Sequence, residues 1–164
     1  MTDELALLTI SEHRKELEGL YRFRLPAHET VLMLHDKAEF HECAGEHGWP
    51  VPNGVVVRAP ADVPRIASLR LPVILKPADK GHFHERHAPR LIVAASRGDA
   101  RLASERLLAH AGEVVVQETV EGPDDNIYFC LFYRGRDGET LGMFTGRKLA
   151  STPQKFRRMH VNIC

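Results

Sequence analysis

Leu71-Pro72-Val73-Ile74-Leu75-Lys76-Pro77 is the stretch on which the reading of the fold turns. Three consecutive aliphatic residues run into one lysine and stop at a proline, so the segment reads as a buried strand with a single charge near its end. That lysine has an ordinary explanation, in which its stem lies along apolar surface and its ammonium reaches water. It also has a functional one. An otherwise apolar strand that carries a charge holds it as a fixed point for an anion.

Upstream, Leu5, Leu8, Ile10, Leu17, Leu20 and Tyr21, with charge between them, predict one or two short helices before Pro26. The apolar run Val31-Leu32-Met33-Leu34 reads as a short strand. Asp36 then fits an N-cap, with Glu39 completing a capping box, for a helix from about Lys37 to Glu46 ended by Gly48. Trp49-Pro50-Val51-Pro52 is a rigid turn, Val55-Val56-Val57 a strand, and Ala61 to Leu69 a helix whose start Asp62 supports. Downstream, Asp79 to Pro89 is polar and rich in histidine, which predicts a loop. Leu91-Ile92-Val93 returns as a strand, Gly98 to Ala111 as a helix, and Val114 to Glu118 as a strand. After a turn at Gly122-Pro123-Asp124-Asp125, the segments Ile127–Tyr133 and Thr140–Lys148 form a hairpin around Gly135-Arg136-Asp137-Gly138. Ser151 to Cys164 carries no periodicity, and both ends read as cut.

The bulk numbers fit one ordinary domain, or a small domain plus part of another, with a real core. The chain has 164 residues, 43% hydrophobic and 27% charged. Lys+Arg and Asp+Glu both number 22, so no field of one sign favours nucleic acid or an anionic membrane. Arg134, Arg136, Arg147, Lys148, Lys155, Arg157 and Arg158 do crowd the C-terminal part, where solvated strand ends and a loose tail explain them. Cys43, Cys130 and Cys164 are widely separated and odd in number, which predicts neither a disulfide framework nor a thiolate zinc site. A reducing cytoplasm fits that usage. The N-terminus lacks a signal-peptide pattern, and no apolar run has transmembrane length.

The familiar phosphate motifs are missing. There is no GxxxxGK[ST], no GxGxxG, and no glycine-rich loop, HRD or DFG that would make Lys76 a kinase lysine. What remains is an ordered set: His35-Asp36-Lys37 with Phe40, Gly48-Trp49-Pro50-Val51-Pro52, the Lys76 strand, and Gln117-Glu118-Thr119-Val120-Glu121-Gly122 with Asp125 and Tyr128. Each is weak alone, but their order and spacing over residues 31–150 resemble the ATP-grasp superfamily. Phe144-Thr145-Gly146-Arg147-Lys148-Leu149 is similar to a strand of its carboxylate–amine (or thiol) ligase branch.

The resemblance implies an α+β architecture: a small α/β subdomain followed by the first antiparallel strands of a second one. Residues 1–36 would be a remnant of a preceding domain, 37–116 the first subdomain, 117–150 the start of the second, and 151–164 an irregular tail. By the same resemblance, Lys76 holds the α- and β-phosphates of ATP and Lys37 adds charge from a facing element. Glu118 C=O and Val120 N–H meet the adenine edge, with the Gln117 to Val120 side chains shaping the slot. Glu121 or Asp125 accepts from the ribose, and the 79–89 loop closes over the phosphates with Lys80 as a donor. Each has a plainer reading: Lys37 in a first helical turn, Glu118 at a strand end, Asp125 in a turn.

ATP-grasp ligases activate a carboxylate as an acylphosphate that an amine or thiol attacks, with Mg²⁺ bridging the phosphates. The family's late acidic residue and Glu-x-Asn pattern do not follow Lys148. Asp137 and Glu139 are poor substitutes in a hairpin turn, and Arg147 and Lys148 could face the γ-phosphate or acyl substrate. The expectation is therefore an ATP-binding fragment, inactive alone, of a ligase acting on small carboxylate and amine substrates. Two alternatives stand beside it. One is a non-catalytic nucleotide-binding module that works with a partner chain and associates through open sheet edges. The other is a metal-binding loop, because His82, His84 and His87 lie within six residues and imidazoles bind Zn²⁺ or Ni²⁺.

Overall fold

The structure, a computed structural model, describes residues 3–78 and 91–149. It separates into two compact units, one up to Glu118 and the other from Thr119 onward.

The first unit is built on a four-stranded sheet of β1 (Gly54–Val57), β2 (Val73–Pro77), β3 (Ile92–Ala94) and β4 (Val114–Glu118), in the order β1-β4-β2-β3. Every neighbouring pair is antiparallel. Successive side chains point to opposite faces. Val55, Val57, Val73, Leu75, Ala94, Val114 and Val116 share one face and pack with Val63, Ile66 and Leu69 and with Ala100, Ala103 and Leu107 of α5 (Arg97–Ala111). Val56 and Val115 face the other way and meet Ala38 and Ala78. The valine runs at 55–57 and 114–116 are thus continuous because both faces are covered there, and a one-sided sheet would alternate apolar with polar.

Helix ends follow from local chemistry. Ser96 accepts from Asp99 N–H at the start of α5, and Gly112, at φ +71°, sends its N–H to Leu108 O at the end. Ala100 and Ala103 let that helix lie close on the sheet. Helix α4 (Lys37–Glu46) starts at Asp36, whose Oδ1 accepts from Ala38 N–H (2.7 Å) and Glu39 N–H (3.0 Å), so the predicted cap is present. The Asp36 N–H closes the preceding helix on Leu32 O (2.9 Å) and is not taken by Glu39, so the expected capping box is reduced to its Asp36 half.

That preceding helix corrects the predicted strand at Val31–Leu34. The residues lie inside α3 (His28–His35), after α1 (Glu4–Glu12) and α2 (Arg14–Leu17). Only Val31 is buried, while Leu32 and Leu34 are exposed, so the run serves one helical stripe and no sheet. An apolar run of four is too short for periodicity to decide. The predicted helix at Ala61–Leu69 is a 3-10 segment, Pro60–Ser68. Pro64 inside it has no N–H for an α-helical ladder. Asp62 supports its start, accepting from Arg58 N–H and Ala59 N–H.

The second unit contains a 3-10 turn, Asp124–Asn126, and a hairpin of β5 (Tyr128–Arg134) and β6 (Thr140–Arg147). Gly138, at φ +83°, takes the turn position that an L side chain disfavours. The Arg134 guanidinium donates to Gly138 O. The Phe129 ring lies over Gly146, where any side chain would collide with it. Tyr128, Leu131, Phe132, Leu141, Met143 and Phe144 are exposed, on both faces of the hairpin. The α+β class expected from sequence is the class observed.

Candidate functional site

The second face of the sheet is where β2 and β4 display polar groups. Lys76 stands beside Val115 in the register, and Gln117 beside Ile74 and Gly54. Lys76 is half-buried, and burial pushes its ammonium below the ordinary lysine pKa. Two residues on, Ala78 O accepts from both the N–H (3.2 Å) and the Nζ (3.0 Å) of Lys37. Two amines far apart in sequence are therefore brought to the same end of β2. The N-terminus of α4 adds its partial positive charge, since Lys37 is the first residue of that helix. A helix start disfavours a lysine, and the Ala78 carbonyl offsets the misfit.

Helix α4 covers the β1–β4 half of this face, with Ala38, His41 and Ala44 toward the sheet. His41 Nδ1 lies 3.2 Å from Gln117 Nε2 in a part-buried contact. Gly54 makes room for this pair. A Cβ there would come within 2.8 Å of His41 Cε1, 2.8 Å of Val116 O and 2.9 Å of Gln117 Cγ. Sequence reasoning missed His41, because a histidine in a helix of mixed polarity carries no local signal.

No family model matches the chain, and no curated protein matches it. Solved structures do. A structure of N5-carboxyaminoimidazole ribonucleotide synthetase from Thermus thermophilus is 20% identical over 87% of this chain and 36% of its own, with a TM-score of 0.62. D-alanyl-alanine synthetase A from Vibrio cholerae is 11% identical over 88% and 42%, also at 0.62. Carboxyaminoimidazole ribonucleotide synthase from Aspergillus clavatus, complexed with ATP, is 14% identical over 86% and 35%, at 0.59. The fold is the ATP-grasp fold. The chain spans well under half the length of each of these structures.

On this ATP-grasp frame the remaining predicted residues are placed separately. The Glu118 side chain turns to the core face, accepts from Arg70 N–H (2.8 Å) and pairs with Arg70 Nη2 (3.6 Å). Its own N–H goes to Asn53 O. Glu118 is thus held from both sides at the end of β4, an anchoring that the sequence did not disclose. Val120 and Glu121 are exposed in the second unit. In that unit Asp125 meets Arg147 at 3.5 Å, and Lys148 N–H closes on Ile127 O. Asp137 Oδ1 accepts from Glu139 N–H within the hairpin turn. Lys80 and the His82, His84, His87 set lie outside the described residues, as does the tail at 151–164. Among the described residues no three His, Cys, Asp or Glu side chains come together as metal ligands, and no helix is long and apolar enough to cross a membrane.

Proposed function

We propose that the chain is the ATP-binding portion of an ATP-dependent carboxylate–amine ligase that works through an acylphosphate. The observation that carries the reading is the pair of amines at the end of β2, Lys76 on the sheet and Lys37 on the Ala78 carbonyl, beside a helix N-terminus. Polyphosphate is the ligand such an arrangement fits, because fixed positive charge in a partly desolvated setting needs little reorganisation when an anion arrives. In this reading Lys76 and Lys37 hold phosphate oxygens, with Lys80 as a further donor. Gln117, Glu118 C=O and Val120 N–H frame the adenine, and Glu121 or Asp125 takes the ribose. Mg²⁺ would accompany the nucleotide, with ligands from outside the described residues. Catalysis would then need more protein than this chain, which binds ATP without turning it over.

Calorimetry with Mg·ATP tests the reading. The chain is expected to bind, and Lys76→Ala is expected to weaken binding at least tenfold while the chain still melts cooperatively. A well-folded chain that ignores ATP and takes up Zn²⁺ stoichiometrically would overturn it in favour of the histidine loop. The exposed hairpin supports a companion reading, a nucleotide-binding module completed by a partner chain.

A further inference from the structure

The C-terminal end of α4 holds a pair of soft ligands that the nucleotide reading does not use. Cys43 and His47, four residues apart, share one side of the helix, with Cys43 Sγ 3.6 Å from His47 Nδ1. The same Nδ1 lies 2.8 Å from Cys43 O. A carbonyl only accepts, so this ring nitrogen carries the hydrogen, which points into the gap between the oxygen and the sulfur. The ring is held in that position. Gly48, at φ +65°, turns the chain back, Trp49 N–H reaches Ala44 O (2.9 Å), and the Trp49 ring packs on His47 with centroids 5.3 Å apart. Phe40, further up α4, backs the Trp49 ring at 6.1 Å. The thiol is free and half-buried, and the imidazole is exposed.

We infer that Cys43 and His47 are half of a tetrahedral site for a thiophilic divalent cation such as Zn²⁺, completed by the same pair from a second copy of this chain. Zinc bonds of about 2.3 Å to sulfur and about 2.0–2.1 Å to nitrogen put two tetrahedral ligand atoms about 3.6 Å apart. That spacing is already present here. The cation sits where the Nδ1 hydrogen now points. The thiol proton leaves to solvent, the ring hydrogen moves to Nε2, and each chain releases one proton. The end of a helix carries partial negative charge, which favours the cation. Two ligands do not fill a tetrahedron, and among the described residues no third His, Cys, Asp or Glu joins them. Glu42, next to Cys43, is taken by Arg58 (2.7 and 3.0 Å). Residues 45–50 are all exposed, so a twofold-related copy can present its own pair there and make a Cys₂His₂ set.

Co²⁺ reports such a site, because a bound thiolate gives a charge-transfer band and tetrahedral ligation an intense visible one. It should be titrated into the reduced full chain carrying Leu131→Asp and Phe144→Asp, which removes association through the exposed hairpin. Both bands are expected to saturate at one ion to two chains, with sedimentation velocity shifting from monomer to dimer as they grow. A chelator should reverse both changes, and Zn²⁺ should erase the bands while keeping the dimer. Cys43→Ser and His47→Ala should each weaken binding by at least about tenfold and abolish the dimer, with circular dichroism unchanged. Lys76→Ala should leave the titration as it was, since the site is independent of the proposed nucleotide site. Saturation at one ion per chain without a dimer would overturn the inference. So would a charge-transfer band that survives Cys43→Ser, a dimer indifferent to metal, or the absence of both bands.

Discussion

At the residue scale, Lys76 is the side chain whose chemistry is most constrained. Burial lowers its pKa, so between that lowered value and the ordinary lysine value the unfolded chain holds more protons than the folded one. The sign follows: the cost of burying the ammonium is present at neutral pH, and stability rises as pH climbs through that window. A bound polyphosphate acts the other way, favouring the charged amine. Nucleotide binding should therefore take up protons under alkaline conditions and weaken as pH passes the lowered pKa. Calorimetry in two buffers of different ionisation enthalpy reads the proton uptake directly, and Lys76→Arg should bind without it. Equal heats in both buffers would place Lys76 away from the phosphates. This lysine was legible in the sequence because a charge in an apolar strand is conspicuous. His41 and the Glu118–Arg70 anchor were not, since each depends on a partner brought close only by the folded sheet.

Among the elements, the sheet rows explain what the strands tolerate. Gly54 sits where β1 passes under the His41–Gln117 pair, and one of the atoms its Cβ would meet is the Val116 carbonyl, which belongs to the ladder and cannot swing aside. Gly54→Ala should cost about 1–3 kcal/mol, measured by urea denaturation, and should also disturb nucleotide binding. A neutral result would mean that β1 can shift away from β4. Leu75→Ala, in the middle of β2 and fully buried, should cost about 2–5 kcal/mol in the same assay. The strands and α5 were readable because each carries a sustained apolar pattern with caps at its ends. Val31–Leu34 was not, because four apolar residues fit a strand and a helical stripe equally well, and packing among α1, α3 and α4 decided for the helix. The strand order β1-β4-β2-β3 was also beyond local reading, since it pairs segments up to 63 positions apart, as Gly54 with Gln117.

For the whole molecule, the hairpin is the feature expected to govern solution behaviour. Leu131, Phe132, Met143 and Phe144 are each more than three-fifths exposed, and a two-stranded ribbon with apolar groups on both faces has little stability of its own. The chain should self-associate at micromolar concentration in sedimentation velocity, and Leu131→Asp with Phe144→Asp should shift it towards monomer while leaving the β1–β4 sheet intact by circular dichroism. A monodisperse monomer without those changes would overturn association through the hairpin.

Strand β4 carries two messages in alternate letters. Val114, Val116 and Glu118 address the core face and its Arg70 anchor, while Val115 and Gln117 address the other. Under the proposed nucleotide site, a change at position 117 would alter ligand contacts without disturbing the core packing and the anchor held at 116 and 118. A saturation library over 114–118 should separate accordingly: a screen for soluble expression would tolerate change at 117, and a screen for nucleotide selectivity would not.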